Sequence, residues 1–157
     1  GSNRIECQNV DLRAIIEEIR DDIALVPDER RMRVNLTLPE PMIVKGNTSL
    51  LMSIFKNLTD NAIAHAGNNT TVTISEKKEN DKWMFTFSDN GTGVESKHQA
   101  RLFERFYRVD KGRSRKLGGT GLGLAIVKNA VLLHGGSIKA LNNPDGGLRF
   151  EFDSRIA

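Results

Sequence analysis

Two alternating patterns in the middle of the chain constrain the fold most. Apolar and polar residues alternate over Thr70–Lys78 and again over Lys82–Asp89, and the polar turn Glu79-Asn80-Asp81 joins the two stretches. A period of two is typical of strands with one buried face, and a short polar connection makes such strands antiparallel neighbours. The chain is therefore predicted to build an antiparallel sheet around this hairpin.

Apolar residues at helical spacing lie on both sides of the hairpin. Three helices are predicted, the first running from Leu12 behind a capping Asp11 to a stop at Pro27, the others over residues 48–66 and 122–134. Further short elements are predicted as strands over 33–38, 42–45, 137–141 and 148–153 and a helix over 96–103. The expected fold is an α/β (α+β) two-layer sandwich, with a mixed, mostly antiparallel sheet of about five strands on three helices.

Composition and length limit the class of protein. The chain has 157 residues, 38% of them hydrophobic and 27% charged, which indicates one soluble globular domain rather than a disordered or membrane-spanning chain. The single cysteine excludes an internal disulfide. Gly1-Ser2 is interpreted as a tag remnant, so the domain is expected to occupy residues 3–157.

The net charge of +3 is concentrated in one segment. Seven basic residues outnumber two acidic ones between residues 101 and 116, and the rest of the chain is slightly acidic. This distribution favours a small anionic ligand and no nucleic-acid partner. The segment lies in a long irregular stretch, Asn90–Gly121, of the kind that forms lids and binding loops.

Three polar residues occupy positions where the pattern favours apolar ones. Asp89 continues the period-two series Trp83, Phe85 and Phe87, so its carboxylate is predicted on the buried face, where it needs a hydrogen-bond donor. An Asx turn at Asp89-Asn90-Gly91 is the alternative. Asn57 and Asn61 lie on one helix face beside the apolar stripe, and a neighbouring loop could satisfy them or their oxygens could hold Mg²⁺.

Two glycine-rich runs, Asp89–Gly93 and Gly118–Leu124, suit close backbone approach and phosphate binding at a helix start. Neither matches the dinucleotide fingerprint or the P-loop. Together with the asparagine pair they resemble the ATP-binding catalytic domain of bacterial two-component sensor histidine kinases, in the GHKL superfamily with the Bergerat fold. The matching boxes are Asn57-Leu58-Thr59-Asp60-Asn61-Ala62 (N), Asp89-Asn90-Gly91-Thr92-Gly93 (G1), Leu102-Phe103-Glu104-Arg105-Phe106-Tyr107-Arg108 (F) and Gly119-Thr120-Gly121-Leu122-Gly123-Leu124 (G2).

The resemblance implies an enzyme that transfers the γ-phosphoryl group of ATP to a histidine on a dimerisation domain absent from this chain. ATP and Mg²⁺ are the implied cofactors, and the dimerisation helices and a response regulator are the implied partners. The fragment is expected to be monomeric and cytoplasmic, and to come from a homodimeric sensor of the inner membrane. It is expected to bind ATP without phosphorylating itself.

The resemblance also assigns roles to residues. Asp89 would accept a hydrogen bond from the adenine amine, and Gly91 and Gly93 would let the backbone pass the base. Asn57 and Asn61 would hold Mg²⁺, with Asn57 and Arg108 as the catalytic pair. A flexible ATP lid would span about residues 105–120, and the turn facing the phosphates would comprise Gly119, Thr120, Gly121, Leu122 and Gly123.

Two positions depart from the family pattern, and two aromatic residues need an interpretation. Ala64 stands where many members have a basic residue, and Arg113, Arg115 or Lys116 is expected to compensate. His65, at the next position, is expected to stack on adenine rather than only cap the helix surface. Phe103 and Phe106 are interpreted as hydrophobic anchors of the lid.

Other functions on the same fold stay open at this point. A GHKL ATPase would need a general-base glutamate four residues before Asn61, where this chain has Asn57. A serine-kinase anti-sigma factor would need no histidine hairpin, although the F box disfavours it. Ala64 alone supports a degenerate nucleotide-binding module.

Overall fold

Seven strands and four helices make up the part of the chain that the computed structural model describes, residues 5–23, 32–66, 69–80, 82–107 and 122–154. None of the helices in these ranges is long and apolar enough to cross a bilayer. In chain order the elements are β1 (Gln8–Asp11), α1 (Leu12–Ile23), β2 (Arg33–Thr37), β3 (Ile43–Gly46), α2 (Thr48–His65), β4 (Thr71–Glu79), β5 (Lys82–Asp89), α3 (Ser96–Gln99), α4 (Gly123–Leu133), β6 (Ile138–Asn142) and β7 (Leu148–Ser154).

Five of the strands form the main sheet, in the order β2-β4-β5-β7-β6. β2 is parallel to β4, and every other neighbouring pair is antiparallel. The central hairpin pairs Ile74 with Phe87 and Val72 with Asp89, and all four side chains are buried. The prediction of a mixed, mostly antiparallel five-stranded sheet is confirmed.

The three long helices form the second layer. α2 packs against both α1 and α4. At its centre the ring of Phe55 lies 6.2 Å from that of Phe85 and 5.7 Å from that of Phe152, measured between centroids. Full burial of one such side chain contributes about 1.5–3 kcal/mol, so this aromatic cluster fixes α2 on the sheet. The predicted two-layer sandwich is confirmed.

A two-stranded sheet at the start of the chain was not predicted. β1 pairs antiparallel with β3, and Asp11, which directly precedes the first helix as expected, is also the last residue of β1. Its Oδ1 accepts a hydrogen bond from the backbone N–H of Met42 at 3.1 Å, and the N–H of Leu12 donates to the Met42 carbonyl at 2.8 Å. β1 has only four residues and depends on a partner about thirty residues away, so no local pattern reveals it.

The short helix after β5 ends earlier than predicted. α3 stops at Gln99, and turns replace the expected helix over residues 100–103. Leu102 and Phe103 are each 9% exposed, although they are adjacent in sequence. Neighbouring side chains on a helix point about 100° apart, so a turn conformation is better suited to placing both in the core.

His134 connects the end of α4 to the start of α2. It is 2% exposed, and its Nδ1 lies 2.8 Å from the Ala130 carbonyl oxygen while its Nε2 lies 3.1 Å from the backbone nitrogen of Asn47. A carbonyl only accepts and an N–H only donates, so Nδ1 carries the proton and Nε2 accepts. Asn47 in turn caps α2, since its Oδ1 accepts from the Leu50 N–H at 3.0 Å.

His134→Ala is expected to lower the free energy of unfolding by about 2–4 kcal/mol, because it opens a cavity and leaves the Asn47 N–H without its acceptor. Urea unfolding followed by circular dichroism measures the change. Leu132→Ala is the matched control, because Leu132 is on the same helix and 54% exposed. Equal losses in the two variants would contradict a structural role for the His134 hydrogen bonds.

Candidate functional site

The predicted site residues divide into two groups by position in the chain. Eight lie on described segments and are discussed below: Asn57, Asn61, His65, Asp89, Gly91, Gly93, Leu122 and Gly123. The others lie outside the described residues, so their predicted roles stay predictions: Arg108, Arg113, Arg115, Lys116, Gly119, Thr120 and Gly121.

Asn57 directs its side-chain oxygen toward the start of α4. Its Nδ2 donates to the Ser53 carbonyl at 2.8 Å, so the amide nitrogen is engaged within α2. A Cβ built on Gly123 would lie 3.1 Å from Asn57 Oδ1. Asn61 lies one helical turn further along α2 and is half-buried. The structure therefore brings the N box and the start of α4 together.

Asp89 is buried at the end of β5, as the alternating pattern predicts, with 8% of its surface exposed. Its Oδ1 accepts two backbone hydrogen bonds, from Gly91 at 2.9 Å and from Leu148 at 3.1 Å. The bond from Gly91 makes an Asx turn, so the buried position and the turn occur together rather than as alternatives. Within the described residues, no donor reaches Oδ2.

The glycines that follow Asp89 are required by the protein's own packing. A Cβ on Gly91 would lie 2.2 Å from the carbonyl oxygen of Ala66, so the backbone passes directly against the end of α2. Gly93 has a φ of +76°, and a Cβ there would lie 2.8 Å from the side-chain oxygen of Asn142. Packing within the protein thus already requires glycine at both positions, and their contact with adenine stays a prediction.

His65 and Leu122 stand at helix ends near the predicted site. His65 is the last residue of α2 and is half-buried, and its stacking on adenine stays a prediction. Leu122 precedes α4, and its side chain makes no capping hydrogen bond. Backbone N–H groups at the start of a helix suit an anionic group.

The F box is anchored differently from the prediction. Phe103 lies in the core, with its ring 6.0 Å from that of Phe150, but Phe106 is 67% exposed and has a φ of +64°. Phe106 is thus not a buried anchor. The half-buried Tyr107 holds this end of the segment instead, because its hydroxyl hydrogen-bonds His98 Nδ1 and the Arg101 guanidinium lies 4.5 Å above its ring. The hydrogen bond with Glu104 raises the pKa of Arg101 above its ordinary value.

Asn142 and Asn143 are residues of the site region that sequence reasoning missed. Asn142 makes two hydrogen bonds with the backbone of Val94, and Asn143 donates to the Asp89 carbonyl at 3.0 Å. The run Asn-Asn-Pro-Asp-Gly-Gly reads only as a hairpin turn. The two asparagines at its start could have indicated a contact with another loop, because polar side chains in a turn often hydrogen-bond to a neighbouring backbone.

The oxygen ligands in this region suit a metal ion that is bound partly by phosphates better than one that is bound by protein side chains alone. Among the described residues, no cluster of three or more histidine, cysteine, aspartate or glutamate side chains could hold a metal. Asn57 and Asn61 offer neutral amide oxygens on one face of α2. Mg²⁺ usually keeps several waters and binds through one or two protein oxygens plus phosphates, so this donor set fits it.

A separate cavity lies at the other end of α2. It has a volume of about 460 Å³ and is lined by Glu6, Cys7, Gln8, Asn47, Thr48 and Ser49. Gly91 contacts the carboxyl end of α2, whereas these residues surround its amino end. The cavity is thus distinct from the predicted nucleotide site.

The chain matches known proteins along most of its length. A profile of the family described as "Histidine kinase-, DNA gyrase B-, and HSP90-like ATPase" covers residues 46–156. The chain is 38% identical to the sensor-like histidine kinase SenX3 of Mycolicibacterium smegmatis over 151 aligned residues. The aligned region covers 96% of this chain and 39% of SenX3. The chain therefore spans about two fifths of this curated relative.

Solved structures resemble the chain over nearly its whole length. The mycobacterial sensor histidine kinase MprB superposes with a TM-score of 0.80 at 25% identity, covering 95% of this chain and 97% of that one. The ATP-binding domain of PrrB from Mycobacterium tuberculosis superposes with a TM-score of 0.72 at 28% identity, covering 94% and 95%.

Proposed function

We propose a phosphoryl-transfer function from one premise: the chain belongs to the histidine kinase-, DNA gyrase B- and HSP90-like ATPase family, as the ATP-binding catalytic domain of a sensor histidine kinase. It binds ATP and transfers the γ-phosphoryl group to a histidine on a separate helical domain. The phosphoryl group then passes to a response regulator. The domain thus catalyses the step of two-component signalling that consumes ATP.

The arrangement around Asp89 carries this proposal. Oδ1 is fixed by two backbone donors, so Oδ2 presents an acceptor of defined direction at the end of β5. The amino group of adenine is a donor that complements it. A site that pairs a buried polar group with a ligand group discriminates strongly against ligands that lack it.

We assign the phosphate end of ATP to the region where Asn57 meets the start of α4. Asn57 and Asn61 supply oxygens on one side, and the start of α4 supplies backbone N–H groups on the other. A bound Mg²⁺ would neutralise phosphate charge there. Phosphoryl transfer depends mainly on positioning and charge neutralisation, so these residues orient the triphosphate, and the predicted role of Arg108 is to reach the terminal phosphate.

The acceptor histidine belongs to another domain. His134 is buried with both ring nitrogens hydrogen-bonded, and His98 is bonded to Tyr107. His65 is the last residue of α2, and its proposed role is to stack on adenine. We therefore infer that the dimerisation helices of the parent kinase carry the phosphorylated histidine, and that the parent acts as a homodimeric sensor.

A reconstituted transfer reaction tests the proposal. With Mg²⁺ and γ-labelled ATP, the chain is expected to label a separately produced histidine-bearing hairpin of its parent kinase and to leave itself unlabelled. Labelling should be acid-labile, as expected for phosphohistidine. The variant Asp89→Asn serves as the control that binds little ATP. An unlabelled hairpin that is folded and dimeric, mixed with a chain that binds ATP, would contradict the kinase assignment.

A further inference from the structure

We propose that Asn142, the last residue of β6, is a positioning residue that sets the preference of this domain for adenine. It does so by holding the base loop, residues 89–94, in place beneath the nucleotide. The inference rests on the proposed function, because it assumes that Asp89 in this loop recognises the base.

Asn142 binds the carboxyl end of the base loop through both halves of its amide. Its Oδ1 accepts the Val94 N–H at 3.0 Å, and its Nδ2 donates to the Val94 carbonyl at 2.7 Å. This pair of bonds reproduces the exchange between two residues of an antiparallel ladder, with a side chain in place of one backbone. Because the Val94 N–H can only donate and its carbonyl can only accept, these two bonds also identify which end of the Asn142 amide is the oxygen.

Two further contacts hold Val94 in register with Asn142. Gln99, on α3, donates through Nε2 to the same Val94 carbonyl at 3.0 Å. Gly93 fits against the Asn142 side chain so closely that a Cβ would lie 2.8 Å from Oδ1. The loop backbone therefore has little room to shift while these bonds persist.

The amino end of the base loop is held by Asn143 and by Leu148, the first residue of β7. Asn143 donates through Nδ2 to the Ser88 hydroxyl at 2.7 Å and to the Asp89 carbonyl at 3.0 Å, and the Leu148 N–H donates to Asp89 Oδ1. The connection between β6 and β7 thus clamps both ends of the loop. Asn142 is the member of this clamp that acts on the loop without touching Asp89.

Loss of the Asn142 clamp would misalign Asp89 rather than remove it. The Leu148 bond to Oδ1 would remain, but Gly91, the other donor that orients this carboxylate, lies within the released loop and would shift with it. Recognition of a ligand group by hydrogen bonding depends on direction and weakens steeply at poor angles. The preference for a base with an amino group should therefore fall, while contacts to ribose and phosphates remain.

Calorimetric titration of Asn142→Ala with ATP and with inosine triphosphate tests this inference. Inosine has a carbonyl where adenine has its amine, so it has no donor at the position that Asp89 is proposed to recognise. ATP affinity is expected to fall about tenfold and inosine triphosphate affinity less than about twofold, which reduces the preference between them. A role limited to stability would lower the melting temperature and leave that preference unchanged.

Controls separate this inference from the proposed function. Asp145→Ala, at an exposed position of the same turn, should leave both affinities as in the wild type. If the wild-type chain does not prefer ATP over inosine triphosphate, the proposed role of Asp89 fails. If the wild type prefers ATP and Asn142→Ala keeps the full preference, only the role of Asn142 fails.

A second variant covers the case in which Asn142→Ala melts below the assay temperature. Asn142→Asp keeps the size of the side chain and the oxygen that accepts the Val94 N–H, but it loses the Nδ2 donor to the Val94 carbonyl. It is expected to reduce the preference for ATP at least about threefold. An unchanged preference in this variant, folded at the assay temperature, would overturn the inference.

Discussion

Asp89→Asn is expected to lower the affinity for ATP about 100-fold while the free energy of unfolding changes by less than about 1 kcal/mol. The amide oxygen of the asparagine can accept the two backbone hydrogen bonds that Oδ1 receives from Gly91 and Leu148. These donors fix the orientation of the amide, so its NH₂ group takes the place of Oδ2. Two donors, this group and the adenine amine, then face each other.

Calorimetry and urea unfolding measure the two quantities separately. Asp145→Asn makes the same chemical change at an exposed carboxylate and should alter neither. The variant at Asp89 should also bind inosine triphosphate at least as well as ATP, because inosine presents an acceptor to the new NH₂ group. Wild-type affinity for ATP in Asp89→Asn would refute the recognition of adenine by this residue.

Asn61→Ala is expected to lower the rate of phosphoryl transfer about 100-fold and to raise the Mg²⁺ concentration needed for half-maximal rate. Asn61 follows one turn after Asn57, whose oxygen faces the start of α4, so we expect both amides on the same side of α2. Loss of one oxygen ligand weakens the hold on a cation that must also bind the phosphates. Rates measured over a series of Mg²⁺ concentrations show both effects.

The neighbouring carboxylate provides a demanding control for this prediction. Asp60 is exposed and lies near Lys56, with Oδ2 and Nζ 3.8 Å apart. A charged carboxylate is ordinarily a stronger ligand for Mg²⁺ than an amide. Asp60→Ala should nevertheless leave the rate and its Mg²⁺ dependence unchanged, because Asp60 points about 100° away from Asn61 around the helix and is exposed to solvent. An equal effect of both substitutions, or none at Asn61, would contradict the assigned metal-binding role.

The main sheet could be predicted because its strands alternate locally. The series from Trp83 to Asp89 identifies both the strand and its buried face, and Asn47 marks the start of α2. β1 could not be predicted, because it has four residues and its hydrogen bonds depend on β3. Pairing between distant segments has no signature in either segment alone.

The candidate site shows the same division between local and distant information. Asp89 and the asparagines of α2 stand out because a polar residue breaks an apolar pattern. Asn142 breaks no pattern, since its role appears only when β6 lies beside the base loop. The prediction that Phe106 is a hydrophobic anchor is wrong for another reason: its left-handed backbone conformation turns the side chain out to solvent, and the residue type gives no sign of this.

The length of α2 separates the single cysteine from the proposed nucleotide site by a distance that spectroscopy can measure. Cys7 is the chain's one cysteine, and it lines the cavity at the amino end of α2, while Gly91 touches the carboxyl end. The 18 residues of α2 extend roughly 27 Å at about 1.5 Å per residue. A fluorophore on this thiol, paired with a labelled nucleotide, would therefore report distance within the range of resonance energy transfer without any cysteine having to be removed.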